Sequence, residues 1–183
     1  FVGIGLVSKE IERRTIYTII ARPIRRLDFL LGKYLGLVTT LAVNMAIMLL
    51  VYLAVLSFNH IPLHFSLLQA AQLMFLEMMI VTATALLFST FSTPSLSAML
   101  TVGLYVVGHL MSDLRGVADK STSDMMKGII TGLYYICPNL EMLNIKGQAA
   151  AGVSVMWSYQ AIATAYGLFY SALLLAIACL IFE

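Results

Sequence analysis

Residues 34–58 read YLGLVTTLAVNMAIMLLVYLAVLSF, twenty-five residues without one Asp, Glu, Lys or Arg. An α-helix rises about 1.5 Å per residue, so roughly 20 such residues cross the ~30 Å hydrocarbon core of a bilayer. Inside lipid the backbone must satisfy its own hydrogen bonds, and a single continuous segment can do so only as a helix. This stretch therefore fixes the fold class as an all-α transmembrane bundle. Moving outward, Leu67–Phe91 is a second apolar run broken only by Glu77, Leu96–Ser112 is a shorter third, and Tyr159–Phe182 is a fourth. The whole chain agrees. Of its 183 residues, 61% are hydrophobic and 11% charged, against roughly 25% charged in a soluble domain, and the mean hydropathy is +0.94.

The expected organisation is one membrane domain over residues 1–183 with spans at 34–58, 67–91, 96–112 and 159–182. Phe1–Val7 is too short to cross and reads as the end of a helix that begins upstream, so the chain is expected to be an N-terminally truncated piece of a longer protein. The links differ. Ser8–Lys33 carries Lys9, Arg13, Arg14, Arg22, Arg25, Arg26 and Lys33, seven of the eleven basic residues, while Asn59–Ser66 carries none. The positive-inside rule puts Ser8–Lys33 in the cytoplasm. Alternation then puts Asn59–Ser66 outside, the turn at Pro94 inside, 113–158 outside and Glu183 inside, with Trp157 and Tyr159 at the outer interface. In 113–158 the basic residues Arg115, Lys120, Lys127 and Lys146 are matched by Asp113, Asp119, Asp124 and Glu141. Ser121-Thr122-Ser123-Asp124 reads as a capping box opening a helix that Pro138 ends. Ala149–Trp157 reads as a second short helix, and both are expected to dip partway into the membrane from that side.

Several function classes drop out. A net charge of +2 gives no basis for nucleic-acid binding. Cys137 and Cys179 form no Cys-x-x-Cys pair and no histidines cluster near them, which argues against a metal or redox site. No Ser, His and acid arrangement points to hydrolysis, and no cofactor is implied. Gly32-Lys33 resembles the end of a phosphate-binding loop, but Leu27 stands where its first glycine belongs and Tyr34 where Ser or Thr must hold magnesium.

What remains is the segment SKEIERRTIYTIIARPIRRLDFLLGK, residues 8–33. Ile11, Ile16, Ile19 and Ile20 fall near helical spacing among Glu10, Glu12, Arg13 and Arg14, giving a short amphipathic helix along the inner surface that Pro23 stops. A basic patch touching anionic lipid is one reading. A helix docking into a groove of a cytoplasmic partner is the other, and it accounts for Glu10 and Glu12, which a lipid patch does not need. Gly32 and Gly36 are spaced for close helix contact.

This string resembles the cytoplasmic signature of type-2 ABC-transporter permeases: acid-x-acid at Glu10 and Glu12, Thr15 after a basic pair, an apolar run, Pro23 with Arg26 in a Pro-x-x-Arg turn, and Gly32-Lys33 before the next span. Asn139-Leu140-Glu141 after Pro138 also looks like that family. Many relatives carry glycine where this chain has Arg14. The resemblance implies six spans per subunit, two permease units (the second a copy or a sister chain) and two copies of a separate ATP-binding subunit. It implies that Glu10, Glu12, Arg13 and Thr15 contact the ATPase, and that Pro23, Arg26 and Lys33 shape the return into the membrane. An exporter in the bacterial cytoplasmic (inner) membrane is the expected function. A membrane anchor that recruits a cytoplasmic partner, and an ion-coupled secondary transporter, are the alternatives.

Inside the spans the polar residues of interest are Glu77 and Asn44. Glu77 is the single acid within a span, and a charge at the bilayer centre costs at least about 2.5–3.5 kcal/mol. By depth, Asn44, Tyr105 and Tyr166 are its candidate partners, and it is either a pathway or gating residue or an interhelical hydrogen bond. His60, His64 and His109 read as interface or packing residues, and pairs such as Met45/Met48 and Met78/Met79 as packing, with an adaptable apolar lining as the alternative.

Overall fold

A computed structural model describes residues 26–62, 64–111, 128, 132 and 137–181. Glu10, Glu12, Arg13, Thr15 and Pro23, with the Ser121–Asp124 capping box, lie outside the described residues. Within them the elements are helical: α1 (Arg26–Phe58), α2 (Ser66–Phe91), α3 (Pro94–His109), a 3₁₀ turn (Glu141–Leu143), α4 (Lys146–Ala150) and α5 (Trp157–Ile181). By length and composition α1, α2 and α5 can cross a membrane.

Helix α1 is already formed at Arg26, eight residues ahead of the charge-free run, because Leu27–Leu31 contains no helix breaker and Leu30 and Tyr34 find buried sites. The third helix starts with Pro94 at its first turn, where a missing N–H costs nothing. It has 16 residues, roughly 24 Å, and ends at His109, short of the expected Ser112. The reason is what meets its end: the Leu140 amide donates to the Gly108 carbonyl at 3.1 Å. A Cβ on Gly108 would lie 2.9 Å from the Leu140 side chain and the Pro138 carbonyl oxygen. The chain after Cys137 thus presses onto the tip of α3.

The core sits between α2 and α5. Leu73, Leu76, Ile80 and Ala83 line one face of α2, and Ala163, Gly167 and Ser171 recur every fourth residue on α5. Small residues let two backbones approach, the main source of association where lipid removes the hydrophobic drive. A Cβ on Gly167 would stand 3.1 Å from Leu76 Cβ. Hydroxyls within the helices are satisfied locally: Thr84, Thr101, Thr164 and Ser171 each donate to the carbonyl four residues back, at 2.7–2.8 Å.

Helix α1 stands apart from this pair. Among the described residues it buries Leu30, Tyr34 and Leu56 only, and the Tyr34 hydroxyl donates to the Met79 carbonyl at 3.3 Å. The close contact expected of Gly32 and Gly36 is not made within the described residues, where a Cβ at either would meet open space. Both are exposed on α1, and the packing against the core falls to Tyr34, Leu37 and Val38 instead.

Residues 137–156 fold back into the bundle. Ala149 lies at the first turn of α2, its carbonyl accepting from Ser66 Oγ at 3.4 Å. Lys146 reaches Glu77, eleven residues or roughly 16 Å further along the same helix. The helical piece here is Lys146–Ala150, upstream of the expected 149–157, because Gly152 takes a left-handed φ of +72° and ends the turn against the His64 ring.

Candidate functional site

Polar groups converge where α2, α3 and the segment 137–156 meet. Glu77 is 0% exposed. His109, at the last residue of α3, brings Nε2 to 3.3 Å from Oε1, and Lys146, at the first of α4, brings Nζ to 3.6 Å from Oε2. Tyr105, one turn before His109, is in electrostatic contact with the same carboxylate. These distances suit ion pairing, yet neither Glu77 oxygen accepts a hydrogen bond of good geometry within the described residues. The contacts are charge pairings first.

The imidazole is held in a defined way. Its Nδ1 lies 3.1 Å from the Tyr105 carbonyl, and its ring stacks at 4.4 Å on the Tyr105 ring. A carbonyl only accepts, so Nδ1 carries a hydrogen and Nε2 is the ring atom that faces Glu77.

Sequence reasoning found Glu77 and one of its neighbours, Tyr105. It assigned His109 to packing at the span's end and passed over Lys146. His109 reaches the carboxylate because α3 is short. Of the other proposed partners, the Tyr166 hydroxyl accepts from the Asn139 amide at 2.8 Å, and Asn44 lies on α1, on the wall of a groove.

That groove runs between α1 and α2 and is closed at one side by α4, with a volume of about 490 Å³. Met45, Met48, Met74 and Met78 line it with Phe75 and Tyr52, and Asn44 and Lys146 supply its polar wall. Met45, Met48 and Met78, read first as packing residues and in the alternative as an adaptable lining, here line a cavity.

A second polar array joins α2 to α5. Gln69 Nε2 donates to Gln160 Oε1 at 2.7 Å and to the Val155 carbonyl at 3.1 Å, and Gln69 Oε1 accepts from the Val155 amide at 3.1 Å. Gln160 Nε2 donates to Gln72 Oε1 at 2.7 Å, and Gln72 Nε2 to Thr164 Oγ1 at 3.2 Å. The signal was present in the sequence: Gln69/Gln72 at i, i+3 and Gln160/Thr164 at i, i+4 each mark one polar face on an apolar span.

A family model described as ABC-2 family transporter protein matches residues 1–182. The chain belongs to the ABC-2 transporter family. It is accordingly a multi-pass membrane permease of the ABC class, a transport component and not the catalytic ATPase, whose family associates with ABC ATPases at the membrane. Neither curated proteins nor solved structures give a match. Of the permease's expected coupling residues, Arg26 opens α1, and Lys33 lies on its second turn with Nζ 5.6 Å from the Phe29 ring centroid. The others fall outside the described residues.

Proposed function

We propose that the permease is one membrane-spanning half of an ATP-driven exporter in the bacterial cytoplasmic membrane, pairing with a second permease unit and two ATPase subunits. The observation that carries this reading is a family match that runs through residues 8–33, where Glu10, Glu12, Arg13 and Thr15 form the docking helix and face the cytoplasm. The permease transmits force. Closure of the ATPase pair on ATP displaces the docking helix, and Pro23 hands the displacement to α1. Helix α1 is unbroken for 33 residues, roughly 50 Å, and meets the α2/α5 core through Tyr34, with Leu37 and Val38 packed against it. Such a rod tilts as a rigid body.

Glu12→Lys tests the docking. It is expected to abolish co-purification of the ATPase and ATP-driven transport while membrane insertion stays normal; undiminished pairing counts against the proposal. A cysteine replacing Ser8 should react with a membrane-impermeant thiol reagent only when the cytoplasmic face is opened.

Glu77 beside His109 favours one second reading, ion-coupled transport with this pair as proton carrier. Proton-coupled uptake that survives Glu77→Gln disposes of it.

A further inference from the structure

We propose that the groove between α1 and α2 is the binding site for a single-chain anionic amphiphile taken up from the lipid phase as cargo, with Lys146 as its charge anchor. The inference rests on the transporter reading and adds a substrate class to it.

Three observations carry it. The volume, about 490 Å³, falls in the range of roughly 300–1,000 Å³ typical of small-molecule sites. The wall is thioether and aromatic: Met45, Met48, Met74, Met78 and Phe75 offer an adaptable apolar surface suited to a flexible chain rather than one rigid shape. The charge on that wall has one sign. Lys146 lines the groove and is 42% exposed, whereas its partner Glu77 is sealed at 0% behind it and does not line the groove. A ligand in the groove therefore meets the ammonium and not the carboxylate. The Lys146 ammonium has three donors, and with Nζ as far as 3.6 Å from Glu77 no close hydrogen bond to that carboxylate commits one of them. The Asn44 side chain adds a neutral donor and acceptor on the same wall. A carboxylate, sulfonate or phosphate ester on an apolar tail matches this layout, meeting from the groove side an ammonium that Glu77 meets only from behind at 3.6 Å; a neutral lipid makes no use of that charge.

The test uses the whole permease in liposomes without nucleotide, photolabelled with a diazirine analogue of palmitate and, in parallel, of hexadecanol. Labelled peptides are mapped by mass spectrometry. Palmitate is expected to label Met45, Met48, Met74 or Phe75 saturably. Lys146→Gln should weaken that labelling about tenfold, the worth of one charge-assisted hydrogen bond, and Lys146→Arg should restore it. Hexadecanol should label weakly and be indifferent to Lys146→Gln. Equal labelling by the two probes on the unmodified permease overturns the proposal without any variant. So does competition by phosphatidylglycerol but not by free palmitate, which marks a resident lipid. So does cross-linking that finds residues 1–25 or a second copy of the chain in the groove. The ATPase takes no part in the assay. Lost labelling with intact ATPase pairing sinks the groove alone, and lost pairing with intact labelling sinks the exporter reading alone.

Discussion

Glu77 is tolerable in an apolar span because two bases meet it from different elements. Removing the carboxylate leaves His109 Nε2, and the more exposed Lys146 Nζ beside it, without their acid. Truncation of one partner in a buried charged set is what costs stability, more than the intact pairing provides. Glu77→Ala is therefore expected to lower stability by about 1–3 kcal/mol, read as an earlier unfolding midpoint on titration with a denaturing detergent. Glu77→Gln should lose less, because its amide N–H₂ can still donate to Nε2. If the alanine and glutamine variants unfold alike, the pairing with His109 contributes nothing. At this scale the sequence showed that Glu77 needed partners but not which. His109 lies 32 positions away and Lys146 69 positions away, and one sequence carries no signal linking positions so distant. Their meeting depends on α3 ending early and on 137–156 folding inward, both tertiary outcomes.

Among the elements, α2 and α5 behave as a unit held by shape and by amide ladders. Gly167 is the tightest point. A Cβ there approaches Leu76 Cβ at 3.1 Å, which a shift of a few tenths of an ångström absorbs, whereas a branched side chain cannot fit. Gly167→Ala should be close to neutral and Gly167→Leu should destabilise by about 1–3 kcal/mol, measured on the same detergent titration; equal effects would show that the helices do not pack through this face. The ladder gives a separate test. A double-mutant cycle on Gln69→Leu and Gln160→Leu should return a coupling of about 0.6–1.7 kcal/mol, the range measured for hydrogen bonds between spans; additive effects would remove the pair. Three of the expected spans coincide with helices long and apolar enough to cross, because apolar runs of about 20 residues have one structural solution in lipid; α3, with 16 residues, is shorter. The small-residue contact was misjudged at Gly32 and Gly36 and made at Gly167, since i, i+4 spacing shows that two helices can approach closely and does not show that a partner faces them.

For the molecule as a whole, the unequal burial of the spans sets what can move. The α2/α5 pair shares its core and its ladder, with 137–156 seated on it through Tyr159 Oη to the Met142 carbonyl at 2.7 Å and Ser66 Oγ to the Ala149 carbonyl at 3.4 Å. Helix α1 leans on this block through a few side chains and leaves a cavity beside it. A tightly packed block does not deform continuously, so under the proposed coupling a push arriving at Arg26 would be taken up where packing is thinnest, by tilting α1 and reshaping the groove. Spin labels replacing exposed Leu50 on α1 and Phe169 on α5 should therefore report a changed distance distribution when ATP is added to the permease with its ATPase. Labels at exposed Leu68 on α2 and Phe169 should report the same distribution throughout. The opposite pattern, a fixed α1 and a shifting α2–α5 pair, would mean that the block is the moving part and that the groove keeps one shape through the cycle. A site that keeps one shape cannot release its ligand by closing, so the same measurement decides whether the cavity beside Lys146 takes part in transport.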